Sequence, residues 1–311
     1  MNTANVSVVI PAYQAEQTIA RAIDSVLAQT VRPREIIVVD DGSPRPLIEQ
    51  WAGNSETVRV MRISNSKTAR ARNVGLDSCQ GDFVAFLDAD DYWAPDKLER
   101  QLALFERYPQ LGTVAGRFEI QELSGHRSLS RATWGWYDRV LDVAGAEAFL
   151  VATLMWTGTL LVRRSTLADE RFVSGLEPAE DRDLWVRLAV RAPVYLLSTP
   201  LATAVMENSG ISRGSIATDC TKMLEVVDRH ASLLGRHARR RWRAYVFYRW
   251  AANEPVSSQA LNCLLRSFAC WPTPLSGIPA METFGRLKRM VTILRRVQFG
   301  AKSTRITKGA I

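Results

Sequence analysis

Three short apolar, β-branched runs, each broken by a polar cluster at its carboxyl end, constrain this chain more than any other feature. Val6–Ile10 runs into Pro11-Ala12-Tyr13, Glu35–Val39 into Asp40-Asp41-Gly42-Ser43, and Asp82–Leu87 into Asp88-Ala89-Asp90-Asp91. Continuous rather than alternating hydrophobicity is what strands buried on both faces need. Helical patterns separate the runs. Glu16–Thr30 carries Ile19, Ile23, Val26 and Leu27 on one stripe, and Thr68–Cys79 is closed by Gly81. Thr57–Ile63 alternates like a further strand. Strands spaced by helices predict a parallel sheet with helices on both faces. Ligands of such sheets bind beyond the carboxyl ends of the strands, so the three polar clusters are expected to converge.

Further along, Pro95–Tyr108 reads as a helix with Pro near its start, and Leu111–Gln121 as a strand. Ser124–Asp138 reads as irregular and aromatic, with Trp134, Trp136 and Tyr137. The longest uncharged stretch in the middle, Ala148–Val162, is shorter than the roughly 20 residues of a spanning helix. It reads as the end of a core helix followed by a buried strand. Pro178–Arg191 is predicted helical, and Tyr195–Val205 is expected to supply one or two edge strands. From Ser215 onward the pattern is helical, with Trp271–Pro279, which contains three prolines, as a linker. Met281–Phe299 reads as a basic amphipathic helix. Phe284, Leu287, Met290, Val291 and Leu294 oppose Arg286, Lys288, Arg289, Arg295 and Arg296.

Charge is unevenly spread over the 311 residues. Residues 221–311 hold 17 Lys and Arg against 4 Asp and Glu, whereas residues 1–220 hold 23 against 28. A basic tail suits anionic lipid or another polyanion, or is a solvated helical face. No aromatic-basic module accompanies it, so nucleic acid is not an expected partner. Four scattered cysteines and three histidines argue against a zinc ribbon, a histidine metal site or a disulfide framework. The start lacks a basic n-region and a long apolar run, so a cytoplasmic protein is expected.

Five carboxylates at one sheet edge repel one another unless a cation or hydrogen-bond donors compensate. In an extended segment Asp88 and Asp90 face the same way. That spacing suits sharing a hard cation such as Mg2+ or Mn2+, completed by water and substrate phosphates. A lone Asp-x-Asp is otherwise a turn or a helix cap.

Five segments then occur in a specific order: Val8-Val9-Ile10-Pro11-Ala12-Tyr13, Ile23-Asp24-Ser25-Val26-Leu27-Ala28-Gln29-Thr30, Glu35–Ser43, Ala71-Arg72-Asn73-Val74-Gly75 and Phe86–Asp91. This order resembles family 2 glycosyltransferases of GT-A fold, closely over about residues 6–110 and more thinly to about residue 215. The resemblance implies a Rossmann-like mixed sheet flanked by helices, with residues 1–115 binding a nucleotide sugar and 116–215 the acceptor. Residues 216–311 remain as a basic helical extension. It implies an inverting transferase taking a sugar from a nucleotide-diphosphate donor, UDP-sugar favoured, to a glycan or lipid-linked acceptor in cell-surface polysaccharide synthesis. By that resemblance Pro11, Ala12 and Tyr13 line the base and ribose pocket, Asp40 accepts from the base, and Asp41 lies beside it. Arg72 and Asn73 hold the nucleotide or its diphosphate. Asp88 and Asp90 serve ribose and metal, with Asp91 close by. Glu180-Asp181 resembles the motif heading the acceptor-side helix, which makes Asp181 the general base and Glu180 its neighbour. Trp156 with Thr157-Gly158 borders the acceptor cleft. Arg213 stands in for a basic residue that the family often carries near Glu207. Gln14 and Lys67 depart from the Asn and Gly common at those places. The basic segment 281–311 implies peripheral attachment to an anionic membrane near a lipid-linked acceptor, on its inner face.

Three rivals exist. Gly210-Ile211-Ser212-Arg213-Gly214 matches G-x-S-x-G, with Asp228 and His230 or His237 following in α/β-hydrolase order. That elbow belongs mid-sheet, whereas the chain beyond it reads as helical. A nucleotidyltransferase shares the metal-bound aspartates but needs a glycine-rich basic loop after the first strand. A non-catalytic membrane- or polyanion-binding protein leaves Asp88, Asp90 and Asp181 unexplained.

Overall fold

A computed structural model describes residues 3–47, 57–130, 135–206, 215–273 and 285–294. The chain divides into two compact units, Met1–Gly210 and Ile211–Ile311.

In the first unit, β1 (Thr3–Ala12), β2 (Arg32–Asp40), β3 (Val58–Arg62) and β4 (Phe83–Phe86) run parallel, in spatial order β3-β2-β1-β4. Alternate residues of β1 serve opposite faces. Val8 and Ile10 pack with Ile19 and Ile23 of α1 (Ile19–Leu27). Val9 faces α2 (Thr68–Asp77), where a Cβ on Gly75 would lie 2.3 Å from Val9 Cγ1. Each of these apolar side chains is fully buried, which is why the runs are continuous.

The sheet continues through β9 (Leu161–Arg163), β6 (Thr113–Glu122), β10 (Val194–Met206) and β5 (Tyr92–Trp93), with β7 (Arg127–Leu129) on β6 and β8 (Val140–Leu141) on β10. β9 is antiparallel to both neighbours, so the sheet is mixed. Among the described residues the other α-helices of this unit are α3 (Lys97–Arg107), α4 (Gly145–Leu154), α5 (Arg164–Leu167) and α6 (Glu180–Arg191).

Two readings change. Tyr195–Val205 is not one or two edge strands but a single 13-residue strand between β6 and the short β5 and β8. Pro200 sits inside this strand where the β10–β6 register shifts, the kind of irregularity at which a strand tolerates proline. The region read as irregular contains β7, paired to β6 through a turn with Gly125 at φ 82°.

The second unit comprises α7 (Ile216–Arg229), α8 (Ala231–Asn253), α9 (Ser257–Cys270) and α10 (285–294). Ser215 caps α7 by accepting from Thr218 N. Ala251, Ala260, Cys263, Leu264 and Ile293 form one core cluster of this unit. α10 departs from the reading of a basic face opposed to an apolar one. Arg286 is buried and donates to the carbonyls of Ser267, Trp271 and Thr273, while Arg289 donates to those of Ala251 and Ala252. Apart from that of Thr273, which lies just beyond α9, these carbonyls belong to the C-terminal ends of α9 and α8, where helices leave acceptors unsatisfied and favour cations. Among the described residues no helix is long and apolar enough to cross a membrane.

Candidate active site

The parallel arrangement of β2, β1 and β4 brings their three carboxyl-terminal clusters to one edge of the sheet. At the end of β2, Asp40 is fully buried; its two oxygens accept from Ser43 N (2.9 Å) and Leu47 N (3.2 Å). Arg62 lies 3.5 Å from it. Asp41 accepts from Ser66 N at 2.7 Å, and burial raises its pKa. The two aspartates thereby shape the loops around a cleft of about 500 Å3 lined by Gly42, Arg62, Ile63, Ser64 and Asn65. Gly42, at φ 73°, is required there, since a Cβ would lie 2.7 Å from Asn65 N. Ala12 accepts from Asp41 N, and the half-exposed Tyr13 follows it. Gln14 and Lys67 both adopt positive φ, 51° and 70°. Asn and Gly reach that region more readily than other residues, which accounts physically for the family pattern from which these two positions depart.

On α2, Arg72 is 5% exposed. Its Nη2 donates to Asp88 Oδ1 at 2.7 Å and its Nη1 to Glu180 Oε1 at 2.8 Å, over the Phe172 ring. Burial alone would depress this guanidinium, but Asp88, Glu180 and Asp181 together hold its pKa above the ordinary value. Arg72 thus joins the end of β4 to the start of α6. Asn73, expected to hold the nucleotide, instead exchanges two 2.9 Å hydrogen bonds with the backbone of Phe172. This pins the segment whose ring lies beneath Arg72.

Asp88 lies two residues past the end of β4, with its side chain 30% exposed. Asp90 lies in the next turn, where Arg21 donates to its carbonyl. Asp91, expected close to donor or metal, makes a structural contact of its own. It is buried and its Oδ1 accepts from Val205 N at 2.9 Å, anchoring β10. Burial, then Asp90 and Asp88, push its pKa up. Among the described residues no three His, Cys, Asp or Glu side chains are grouped to hold a metal ion. The donor set present, Asp88 and Asp90, fits a hard cation shared with a substrate's phosphate oxygens rather than one caged by protein.

At the first turn of α6, Asp181 accepts from Thr157 Oγ1 at 3.2 Å and from Arg182 N at 2.7 Å. Thr157 sits in a 3-10 turn, Thr157–Thr159, steadied from behind. There the buried Lys97 donates to Leu160 O and Gln101, while Gln101 donates to Thr159 O. Burial lowers the Lys97 pKa. These two residues went unnoticed in the sequence, where Lys97 and Gln101 look like the polar face of a helix. Trp156, half-buried, packs in a tilted arrangement against the Phe118 ring, with centroids 4.5 Å apart. Arg213 and Ser212 lie outside the described residues.

Glu180 is 4% exposed, and its Oε2 has no hydrogen-bond partner among the described residues. Burial first, with Asp181 and Glu177 assisting and Arg72 opposing, raises its pKa from 4.5 to about 7. The folded state therefore holds this proton more tightly than the unfolded chain. The associated stabilisation is full below about pH 4.5 and lost as pH rises through about 7. Glu180→Gln is expected to gain on the wild type by up to ~3 kcal/mol between about pH 4 and pH 8. Urea unfolding of both proteins across that range measures it, and parallel pH slopes contradict it.

The same fold occurs in solved structures. S. aureus TarS 1-349 in complex with UDP-GlcNAc superposes with a TM-score of 0.62 at 18% identity, covering 87% of this chain and 81% of that one. The mannosyltransferase PcManGT from Pyrobaculum calidifontis, in complex with GDP-Man and Mn2+, gives 0.57 at 16%, covering 85% and 75%. The architecture is GT-A, a mixed sheet flanked by helices. The model of Glycosyl transferase family 2 matches residues 7–169, more than half of the sequence, and the chain belongs to that family. The succinoglycan biosynthesis protein ExoW of Rhizobium meliloti (strain 1021) is 46% identical over 102 residues, 30% of this chain and 32% of that protein. The amylovoran biosynthesis glycosyltransferase AmsB of Erwinia amylovora is 30% identical over 209 residues, 60% and 64%. The chain thus matches between a third and just under two thirds of the length of these two relatives.

Proposed function

We propose that this chain is an inverting glycosyltransferase that moves a sugar from a nucleotide-diphosphate donor, a UDP-sugar, to a hydroxyl of a glycan or lipid-linked acceptor in cell-surface polysaccharide synthesis. The observation that carries the reading is the Arg72 bridge, which ties Asp88 at the donor edge of the sheet to Glu180 beside Asp181. The polysaccharide roles named for ExoW and AmsB, and the UDP-GlcNAc bound by TarS, support it.

In this reading residues 1–115 bind the donor and 116–215 the acceptor. The cleft of Gly42 and Arg62–Asn65, with Pro11, Ala12 and Tyr13, takes the base and ribose. Asp88 and Asp90 would hold a divalent cation, Mn2+ or Mg2+, whose contribution is to stabilise charge on the departing diphosphate. Asp181 accepts the acceptor's hydroxyl proton as that oxygen attacks the anomeric carbon from the side opposite the leaving group. The bond to the diphosphate oxygen breaks as the new glycosidic bond forms, which inverts the centre. Thr157 and Arg182 N fix the carboxylate for that proton transfer. In the same reading the enzyme works at the inner, anionic face of a membrane, near a lipid-linked acceptor, and the basic character of residues 221–311 supports this. Buried unpaired thiols at Cys79, Cys220 and Cys263 suit a cytoplasmic setting.

The test is a panel of nucleotide sugars, with nucleotide release followed in Mn2+, in Mg2+ and in chelator. A UDP-sugar turned over only with metal is the expected result. Turnover of none of the panel, or labelling of Ser212 by a serine-directed probe, overturns it.

A further inference from the structure

α10 is an amphipathic helix turned inside out. Its arginines Arg286 and Arg289 point inward to helix-end carbonyls, and Met290 and Ile293 pack on the core of the second unit. The opposite stripe carries Leu287, Val291 and Leu294, at positions i, i+4 and i+7, exposed to 52%, 49% and 46%. Three aliphatic side chains aligned toward solvent on so short a helix are not accounted for by folding of the unit.

We infer that this stripe is a docking surface for an anionic lipid bilayer, an inference that rests on the membrane-peripheral reading above. Charge decides the occupant. The helix has no acidic residue, exposes Lys288 beside the stripe, and is followed in sequence by Arg295, Arg296, Lys302, Arg305 and Lys308 with no Asp or Glu to the end. A second copy of this unit would bring like charge against like, because residues 221–311 carry 17 Lys and Arg against 4 Asp and Glu. An anionic headgroup layer over hydrocarbon complements both features at once. Aliphatic side chains enter the acyl boundary while flanking cations meet the headgroups. The inward arginines let this happen. They satisfy helix ends of the unit itself, and so leave the apolar stripe to face the surface.

Vesicle flotation of the full chain, without donor or acceptor, tests the inference independently of the transferase reading. Vesicles of phosphatidylcholine alone are compared with vesicles containing about a third phosphatidylglycerol, at low and high salt. The wild type is expected to float with the anionic vesicles, and less so in high salt. The triple variant Leu287→Ser, Val291→Ser, Leu294→Ser is expected to lose at least about tenfold in partitioning. The corresponding alanine triple, which keeps helix propensity, is expected to lose less and serves if the serine variant unfolds. Serine and alanine triples that both partition within about twofold of the wild type overturn the face but leave a membrane role standing. A wild type that ignores both vesicles overturns both. A wild-type dimer that the triple variant converts to monomer assigns the stripe to a second copy instead.

Discussion

Asp181→Asn is expected to lower kcat for sugar transfer by about 10^2–10^4-fold while UDP-sugar affinity stays within about twofold of wild type. The size follows from what the substitution removes. An Asn side chain can still accept from Arg182 N and can donate to Thr157 Oγ1, so both hydrogen bonds of the native carboxylate survive. The side chain keeps its volume at the head of α6. Only the capacity to take a proton at the acceptor-facing edge is gone. A hydroxyl is a poor nucleophile without that help. Single-turnover transfer and separate titration of UDP binding measure the two parts. A kcat within about tenfold of wild type moves the base elsewhere, and lost UDP binding makes Asp181 a structural residue. Thr157→Val adds a control. It removes one hydrogen bond to the carboxylate but not the proton acceptor, so its effect should be smaller than that of Asp181→Asn.

What could be read from the sequence divides along physical lines. The ends of β1, β2 and β4 were legible because double-sided burial writes an uninterrupted apolar run, and the break in that run marks where the strand meets solvent. Asp40 and Asp88 could be placed at strand ends this way, whereas Asp181 was indicated only by the resemblance of Glu180-Asp181 to the motif that heads the acceptor-side helix. Side-chain partners distant in the chain could not be placed. Asn73 bonds the backbone of Phe172, and Asp91 that of Val205; nothing local in either motif records where a carbonyl or amide a hundred residues on will lie. Arg72 looks like a surface residue on a weakly patterned helix, and its burial becomes visible only once Asp88 and Glu180 are seen to flank it. The same limit explains α10. Helical periodicity separates two faces, but it does not say which one packs. Helix-end carbonyls of α8 and α9 outbid solvent for Arg286 and Arg289, and so reverse the usual assignment.

Arg72→Met is expected to cost the first unit about 3–5 kcal/mol of stability and to abolish transfer, because it strands two carboxylates at once. Asp88 and Glu180 each lose a charge-assisted bond, at 2.7 Å and 2.8 Å. Glu180, already pushed toward protonation by burial, loses the Arg72 charge that opposes the push. Near neutral pH its carboxyl should then be protonated throughout, so the penalty there falls mainly on Asp88. Arg72→Lys should not rescue, since one ammonium cannot span two carboxylates that a planar guanidinium reaches with separate nitrogens. Combining Arg72→Met with Glu180→Gln removes one of the stranded acids. Because the two side chains are in contact, the double variant should be more stable than the sum of the singles by about 1–3 kcal/mol. Chemical unfolding of the four proteins at a fixed pH above 7 closes the cycle. Additive losses would mean that Arg72 and Glu180 do not sense each other, and the bridge between donor edge and base would have no energetic content.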